Sequence, residues 1–207
     1  MEFKTVDSTY ITSAANAKAL PMFEAPEVAF VGRSNSGKSS LLNAILLRRG
    51  LARKGRTPGL TQMANFFEVS LKVPGKTKKE KKVLIFADLP GYGYAENPQK
   101  NRMAWDDLMI AYFRRSKIRA ILFLMDIRRD FDQDDLGLLR FLSKNCEIML
   151  VLTKIDKVGK TEVEPRKTLI QKALKGHKID CSQIFCVSSQ KNLGFDELRQ
   201  TILSFAE

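Results

Sequence analysis

The 207-residue chain is poor in the residues that build covalent or metal-held scaffolds, with three cysteines, one histidine and one tryptophan. Cys146, Cys181 and Cys186 form an odd set, with no partner histidine or further cysteine at metal spacing. That excludes a disulfide framework, argues against a zinc site and fits a reducing compartment. His177 lies in the polar stretch Lys175-Gly176-His177-Lys178 and reads as a solvated residue at a helix end. No apolar run approaches the ~18–20 residues of a membrane-spanning helix, so no bilayer crossing is expected. Residues 1–32 show no basic stretch leading into an apolar one, so no secretory signal is expected. Internal repeats and long low-complexity linkers are also missing. These absences point to a soluble, intracellular chain of about one domain; a cytoplasmic monomer with no membrane partner is the expectation.

What is present is a globular composition with an uneven charge. Hydrophobic residues make up 44% and charged residues 28%, which argues against disorder. Basic residues outnumber acidic ones 35 to 23, a net of +12. From Arg48 to Lys82 eleven basic residues face only Glu68 and Glu80, so this segment alone carries +9. Such clustering reads first as a polyanion-binding surface, RNA or DNA before membrane, because neutralising phosphates releases counterions. The run Lys76-Thr77-Lys78-Lys79-Glu80-Lys81-Lys82 reads equally well as a solvated hairpin tip.

Apolar runs of four to eight residues alternate with longer amphipathic stretches, the pattern of an α/β domain. Strands are expected at 27–31, 65–72, 83–88, 120–126, 147–153 and 183–187. Helices are expected at 38–47, 99–115, 132–143, 162–175 and 194–205. The second and third strands are joined by a turn containing Pro74-Gly75 and no helix, so they should pair antiparallel. The expectation is a three-layer α/β fold with a mostly parallel six-stranded sheet and one antiparallel strand. Residues 1–24 would be an N-terminal extension packing on a domain spanning 25–207. Ligands bind such sheets at the C-terminal ends of the strands.

Gly32-Arg33-Ser34-Asn35-Ser36-Gly37-Lys38-Ser39 follows a strand and opens a helix. It has the Gly-x-x-x-x-Gly-Lys-Ser form of a phosphate-binding loop. Backbone N–H groups close around the phosphates, Lys38 reaches the β- and γ-phosphates, and Ser39 offers its hydroxyl to Mg2+. Thr153-Lys154-Ile155-Asp156 ends a later buried strand. An aspartate there can accept from both N1–H and the exocyclic amine of guanine, donors that adenine lacks. Asp88-Leu89-Pro90-Gly91 follows a third buried strand. Asp88 is placed to support Mg2+ through water, and the Gly91 amide to sense the γ-phosphate. In Thr57-Pro58-Gly59-Leu60-Thr61-Gln62, Thr61 would complete the Mg2+ shell when triphosphate is bound.

Two features have plainer readings. Trp105 stands among Met103, Leu108, Met109 and Tyr112 at helical spacing, as a core-packing residue does. Asp130, Asp132, Asp134 and Asp135 lack the glycine and terminal glutamate of a Ca2+ loop and suit a helix N-terminus.

The order of these elements, with Val187-Ser188-Ser189 after the last strand, resembles translation-factor-like GTPases over nearly the whole chain. Gly-Arg-Ser-Asn-Ser-Gly-Lys-Ser, Thr-Pro-Gly-x-Thr-Gln, Asn65-Phe66-Phe67, Asp-Leu-Pro-Gly-Tyr92-Gly93-Tyr94-Ala95 and Asp126-Ile127-Arg128 are similar to the EngB-type (YihA/YsxC) bacterial ribosome-biogenesis GTP-binding proteins. The resemblance implies binding and slow hydrolysis of GTP to GDP with Mg2+. It also implies a role with the large ribosomal subunit or its precursor RNA, with links to cell division and septation. Asp156, Lys154 and the Ser189 amide would read guanine.

Thr153 replaces the asparagine of many relatives, and Tyr92 replaces the water-orienting glutamine of Ras-like switches. Asn35 has two readings: it holds K+ near the phosphates as in potassium-activated GTPases, or it stabilises its own turn. Two rival readings are a P-loop small-molecule kinase and an RNA-binding module with structural nucleotide.

Overall fold

The computed structural model describes residues 4–46, 63–72, 81–93, 98–143 and 146–206, with backbone alone at 98–102. Expectations for Gly59, Thr61, Gln62, Pro74-Gly75, Tyr94 and Ala95, and for the basic run apart from Lys81 and Lys82, lie outside these residues.

Seven strands form one sheet: β1 (Lys4–Ala14), β2 (Glu27–Gly32), β3 (Ala64–Lys72), β4 (Lys81–Asp88), β5 (Ile118–Asp126), β6 (Glu147–Thr153) and β7 (Gln183–Cys186). Their spatial order is β1-β3-β4-β2-β5-β6-β7. β3 runs antiparallel to both β1 and β4, and the remaining pairs are parallel, so β3 alone is reversed. The expected six strands become seven because β1 is an edge strand. Its sequence KTVDSTYITSA is exposed at most positions and has little apolar alternation to read. Two register shifts, at Thr5/Asp7 and Tyr10/Thr12, also interrupt its pairing.

Among the described residues five α-helices flank the sheet: α1 (Lys38–Ile45), α2 (Pro98–Phe113), α3 (Gln133–Leu142), α4 (Val163–Gly176) and α5 (Phe195–Ser204). In β5, Ile121, Phe123 and Met125 enter one core while Ala120, Leu122 and Leu124 enter the other, the two-residue period of a strand buried on both faces. The first core receives Leu108 and Tyr112 of α2, Leu136 and Leu139 of α3, and Ile170 and Leu174 of α4. The second receives Leu41 and Ile45 of α1 with Leu198 and Ile202 of α5. Burying a Leu or Ile side chain stabilises by ~1.5–3 kcal/mol, so both layers are held chiefly by these contacts. One expectation fails here: Met103, grouped with Trp105 as core, is 70% exposed, because it falls on the outer face of α2.

α3 begins as its aspartates imply. Asp132 caps the helix by accepting from the Asp135 amide at 3.0 Å, and Asp135 returns the contact to the Asp132 amide at 3.1 Å. β2, β4, β5, β6 and β7 all point their C-terminal ends to one rim, which brings together Gly32, Asp88, Asp126, Thr153 and Ser188.

Candidate nucleotide-binding site

At the rim, β2 runs into the loop Gly32–Lys38 and then α1. Glycine is required at Gly32, since a Cβ there would lie 2.5 Å from the Leu124 carbonyl oxygen and 2.7 Å from Ser36 Oγ. Gly37 caps α1 in the left-handed region at φ 100°, where side chains are strained. Asn35 is also left-handed at φ 63°, a conformation that Asn tolerates better than most residues. The loop is tightened by the Ser36 amide donating to the Arg33 carbonyl at 3.1 Å.

Lys38 is buried, and its Nζ donates to the carbonyls of Gly32 (3.1 Å) and Arg33 (3.4 Å). Burial holds its ammonium below the usual lysine range, opposed by the charge of Asp88. Burial also pushes the Asp88 carboxyl up to about 6, against the pull of Lys38. Asp88 Oδ1 and Ser36 Oγ are buried and have no hydrogen-bond partner among the described residues. Unpaired buried polar atoms cost ~1–3 kcal/mol, so a cation or a donor at this point would be stabilising. Ser39, half-buried in the first turn of α1, stands beside Lys38.

On the other side, β6 delivers Thr153-Lys154-Ile155-Asp156. The Thr153 hydroxyl donates to the Ser36 carbonyl at 2.7 Å, with the Met125 carbonyl at 3.2 Å. Lys154, left-handed at φ 60°, donates to the Asn35 carbonyl at 2.8 Å and pairs with Asp126 at 3.0 Å. Asp126 takes a two-pronged contact from Arg128, at 2.9 Å and 2.7 Å. Although burial pushes its carboxyl upward, these partners outweigh it and hold Asp126 well below the usual carboxylate range. The Ile155 amide donates to the Val187 carbonyl at 3.3 Å, which draws the end of β7 alongside. The Ser188 hydroxyl donates to Asp156 Oδ1 at 2.6 Å and lowers the Asp156 pKa. Ser189 follows, half-buried. Residues far apart in sequence thus share one wall.

The segment after β4 lies on the phosphate loop. The Leu89 amide donates to the Phe30 carbonyl at 3.1 Å, and Trp105 Nε1–H donates to the Pro90 carbonyl at 3.0 Å. A Cβ at Gly91 would fall 3.0 Å from the Ser34 amide nitrogen and 3.1 Å from Lys38 Nζ. The Ser34 amide donates to the Tyr92 carbonyl at 3.0 Å. The Tyr92 phenol donates to Asp135 Oδ1 at 2.7 Å, and Arg33, paired with Asp132, lies 5.8 Å from the ring centre. Burial first, and then the Asp135 charge, pushes the Tyr92 hydroxyl above its ordinary value, so it stays a donor.

Sequence reasoning placed Gly32 to Ser39, Asp88 to Gly91, Thr153 to Asp156 and Val187 to Ser189 as candidates, and all come to this rim. It left out Asp126 as the partner of Lys154, Trp105 as a hydrogen-bond donor, and Asp135 as the partner of Tyr92. Asp126 carried a readable signal, an aspartate ending a buried strand. Trp105 sat in an apolar helical pattern that hides its N–H, and Asp135 had a sufficient role in its own helix cap. His177 caps the end of α4, exposed, with Nδ1 3.4 Å from Arg140. The three cysteines are free thiols, and no cluster of metal-binding side chains occurs among the described residues. Among those residues no helix is long and apolar enough to cross a membrane.

With this geometry in hand, comparisons place the chain among known proteins. The model of the 50S ribosome-binding GTPase family matches residues 27–154. A probable GTP-binding protein EngB of Syntrophus aciditrophicus is 41% identical over 173 residues, 83% of each chain. Its counterpart in Streptococcus equi subsp. equi is 36% identical over 203 residues, 97% of this chain and 96% of that one. Among solved structures, Era in complex with MgGDPNP and nucleotides 1506–1542 of 16S ribosomal RNA superposes with a TM-score of 0.64 at 24% identity. That match covers 87% of this chain and 56% of Era.

Proposed function

The chain belongs to the EngB family of GTP-binding proteins and is a GTPase, and from that premise we propose that it is a nucleotide-dependent switch in assembly of the large ribosomal subunit, linked to normal cell division and septation. Residues 25–207 are the nucleotide-binding domain, with residues 1–24 an extension whose strand β1 joins the edge of its sheet. The observation that carries the reading is the wall in which Thr153 and Lys154 tie the guanine-reading segment to the phosphate loop while Ser188 holds Asp156.

In this reading Asp156 accepts from two donors of guanine, the Lys154 stem covers the base, and the Ser189 amide meets the base oxygen. The loop amides and Lys38 hold the phosphates. Ser39 and Thr61 would hold Mg2+, with Asp88 supporting it; the buried, unpartnered oxygen of Asp88 fits that task. Mg2+, when bound, neutralises charge on the β- and γ-phosphates. Water attacks the γ-phosphate and leaves GDP and inorganic phosphate. Gly91 and the loop bearing Gly59, Thr61 and Gln62 register the loss.

Slow unassisted turnover follows from Tyr92, whose neutral phenol is poorly suited to orienting the attacking water. K+ held by Asn35, or the ribosome, supplies the missing charge or positioning. Turnover in potassium should then exceed turnover in sodium, and equal rates count against the cation role.

A ribosomal partner is supported by the description of the matching family, by Era's complex with ribosomal RNA, and by the +9 segment from Arg48 to Lys82. Binding to precursor large subunits should be tighter with a non-hydrolysable GTP analogue than with GDP, and weaken with salt. Equal affinity in the two nucleotide states would sink the switch.

A further inference from the structure

We propose that Tyr92 and Asp135 set this chain's preference between guanosine di- and triphosphate, by holding the Pro90–Tyr92 segment on the phosphate loop in competition with the terminal phosphate. The inference rests on the functional reading above and adds to it the residues that oppose triphosphate binding.

The competition is visible in the backbone. The Ser34 amide has one proton, and it is donated to the Tyr92 carbonyl at 3.0 Å. Gly91 is pressed so closely on the loop that even a Cβ would lie 3.1 Å from Lys38 Nζ, the group that must reach a third phosphate. The docked segment therefore takes the Ser34 amide and crowds Lys38 Nζ, so that a γ-phosphate reaching Lys38 has to displace it, whereas a diphosphate leaves the segment in place.

The docked arrangement is held from α3 and α2. The Tyr92 hydroxyl donates to Asp135 Oδ1 at 2.7 Å. The other oxygen of Asp135 is fixed by the Asp132 amide at 3.1 Å, with Arg129 at 3.4 Å. Arg129 in turn is anchored through its carbonyl, which accepts from Arg166 at 2.7 Å. Arg33 ties the phosphate loop to the same helix cap through Asp132. Trp105 holds the Pro90 carbonyl, and its ring meets Tyr92 edge-on with centroids 6.0 Å apart. Asp135 therefore acts as a positioning residue through Tyr92. Contacts made only in the docked state count against triphosphate and leave diphosphate affinity alone, since a ligand shifts an equilibrium by its differential affinity.

Tyr92→Phe keeps the ring against Trp105 and removes only the hydroxyl. Dissociation constants for GDP and for guanosine 5′-(β,γ-imido)triphosphate should be measured for the unaltered chain, Tyr92→Phe and Asp135→Asn. The triphosphate analogue should bind each variant about three- to tenfold more tightly than it binds the unaltered chain, the scale of one net intramolecular hydrogen bond. GDP affinity should stay level. The single tryptophan supplies a second readout: Trp105 emission in the unaltered chain should change with the analogue and not with GDP. A ratio that stays level in both variants, moves toward GDP, or hides an equal loss of both affinities overturns the proposal. Tight guanine-nucleotide binding with an unmoved ratio defeats the latch alone, and no binding by the unaltered chain defeats the functional reading with it.

Discussion

The two ends of the site are built differently. At the base end every key side chain has a protein partner: Thr153 with Ser36, Lys154 with Asn35 and Asp126, and Asp156 with Ser188. At the phosphate end Asp88 Oδ1 and Ser36 Oγ are buried without one among the described residues, and a backbone amide of the loop is lent to Tyr92. The base end is preorganised, and in the proposed reading it recognises what di- and triphosphates share. The phosphate end holds unpartnered buried atoms and a borrowed amide, and in that reading it registers how they differ. Variants at the base end should therefore change affinity for both nucleotides together, whereas variants at the phosphate end should change their ratio.

The largest effect is expected from Asp156→Asn, which removes the acceptor for two donors of guanine. GTP and GDP affinity should both fall on the order of 10³-fold, while xanthosine nucleotides gain, as titration with both bases would record. Lys38→Ala should weaken GTP by about 100-fold and GDP by less, since the terminal phosphate loses its ammonium; equal losses would blur the two ends. Asp126→Asn should release Lys154 and lower affinity for both nucleotides about tenfold with their ratio unmoved. A changed ratio would mean that Asp126 also acts on the phosphate end. Thr153→Val should cost about 1–2 kcal/mol of stability by orphaning the buried Ser36 carbonyl, seen as a fall of roughly 2–8 °C in Tm. An unchanged Tm would make that hydroxyl dispensable to the joint between the ends.

Much of the base end could be read before the fold, because Thr153-Lys154-Ile155-Asp156 closes a buried strand and the strand says where its end points. The phosphate loop was legible for the same reason, since the glycines at 32 and 37 are demanded by local geometry. Thr153 stands where many relatives have asparagine, and only the structure shows its hydroxyl occupied in joining the loop to β6. Tyr92 was read as a missing catalytic group, and its actual bond to Asp135 spans 43 residues. β1 was missed because an exposed edge strand carries no apolar period.

By itself the sequence determined the α/β class, the positions of eleven of the described strands and helices to within about two residues, and the residues collected at the rim. These follow from periodicity and from backbone constraints that act over a few residues. Only the tertiary structure decided which partners those residues have. Lys154 with Asp126, Trp105 with Pro90 and Tyr92 with Asp135 each join separate elements. Such pairings depend on how helices and strands pack in space, and no local spacing encodes that distance.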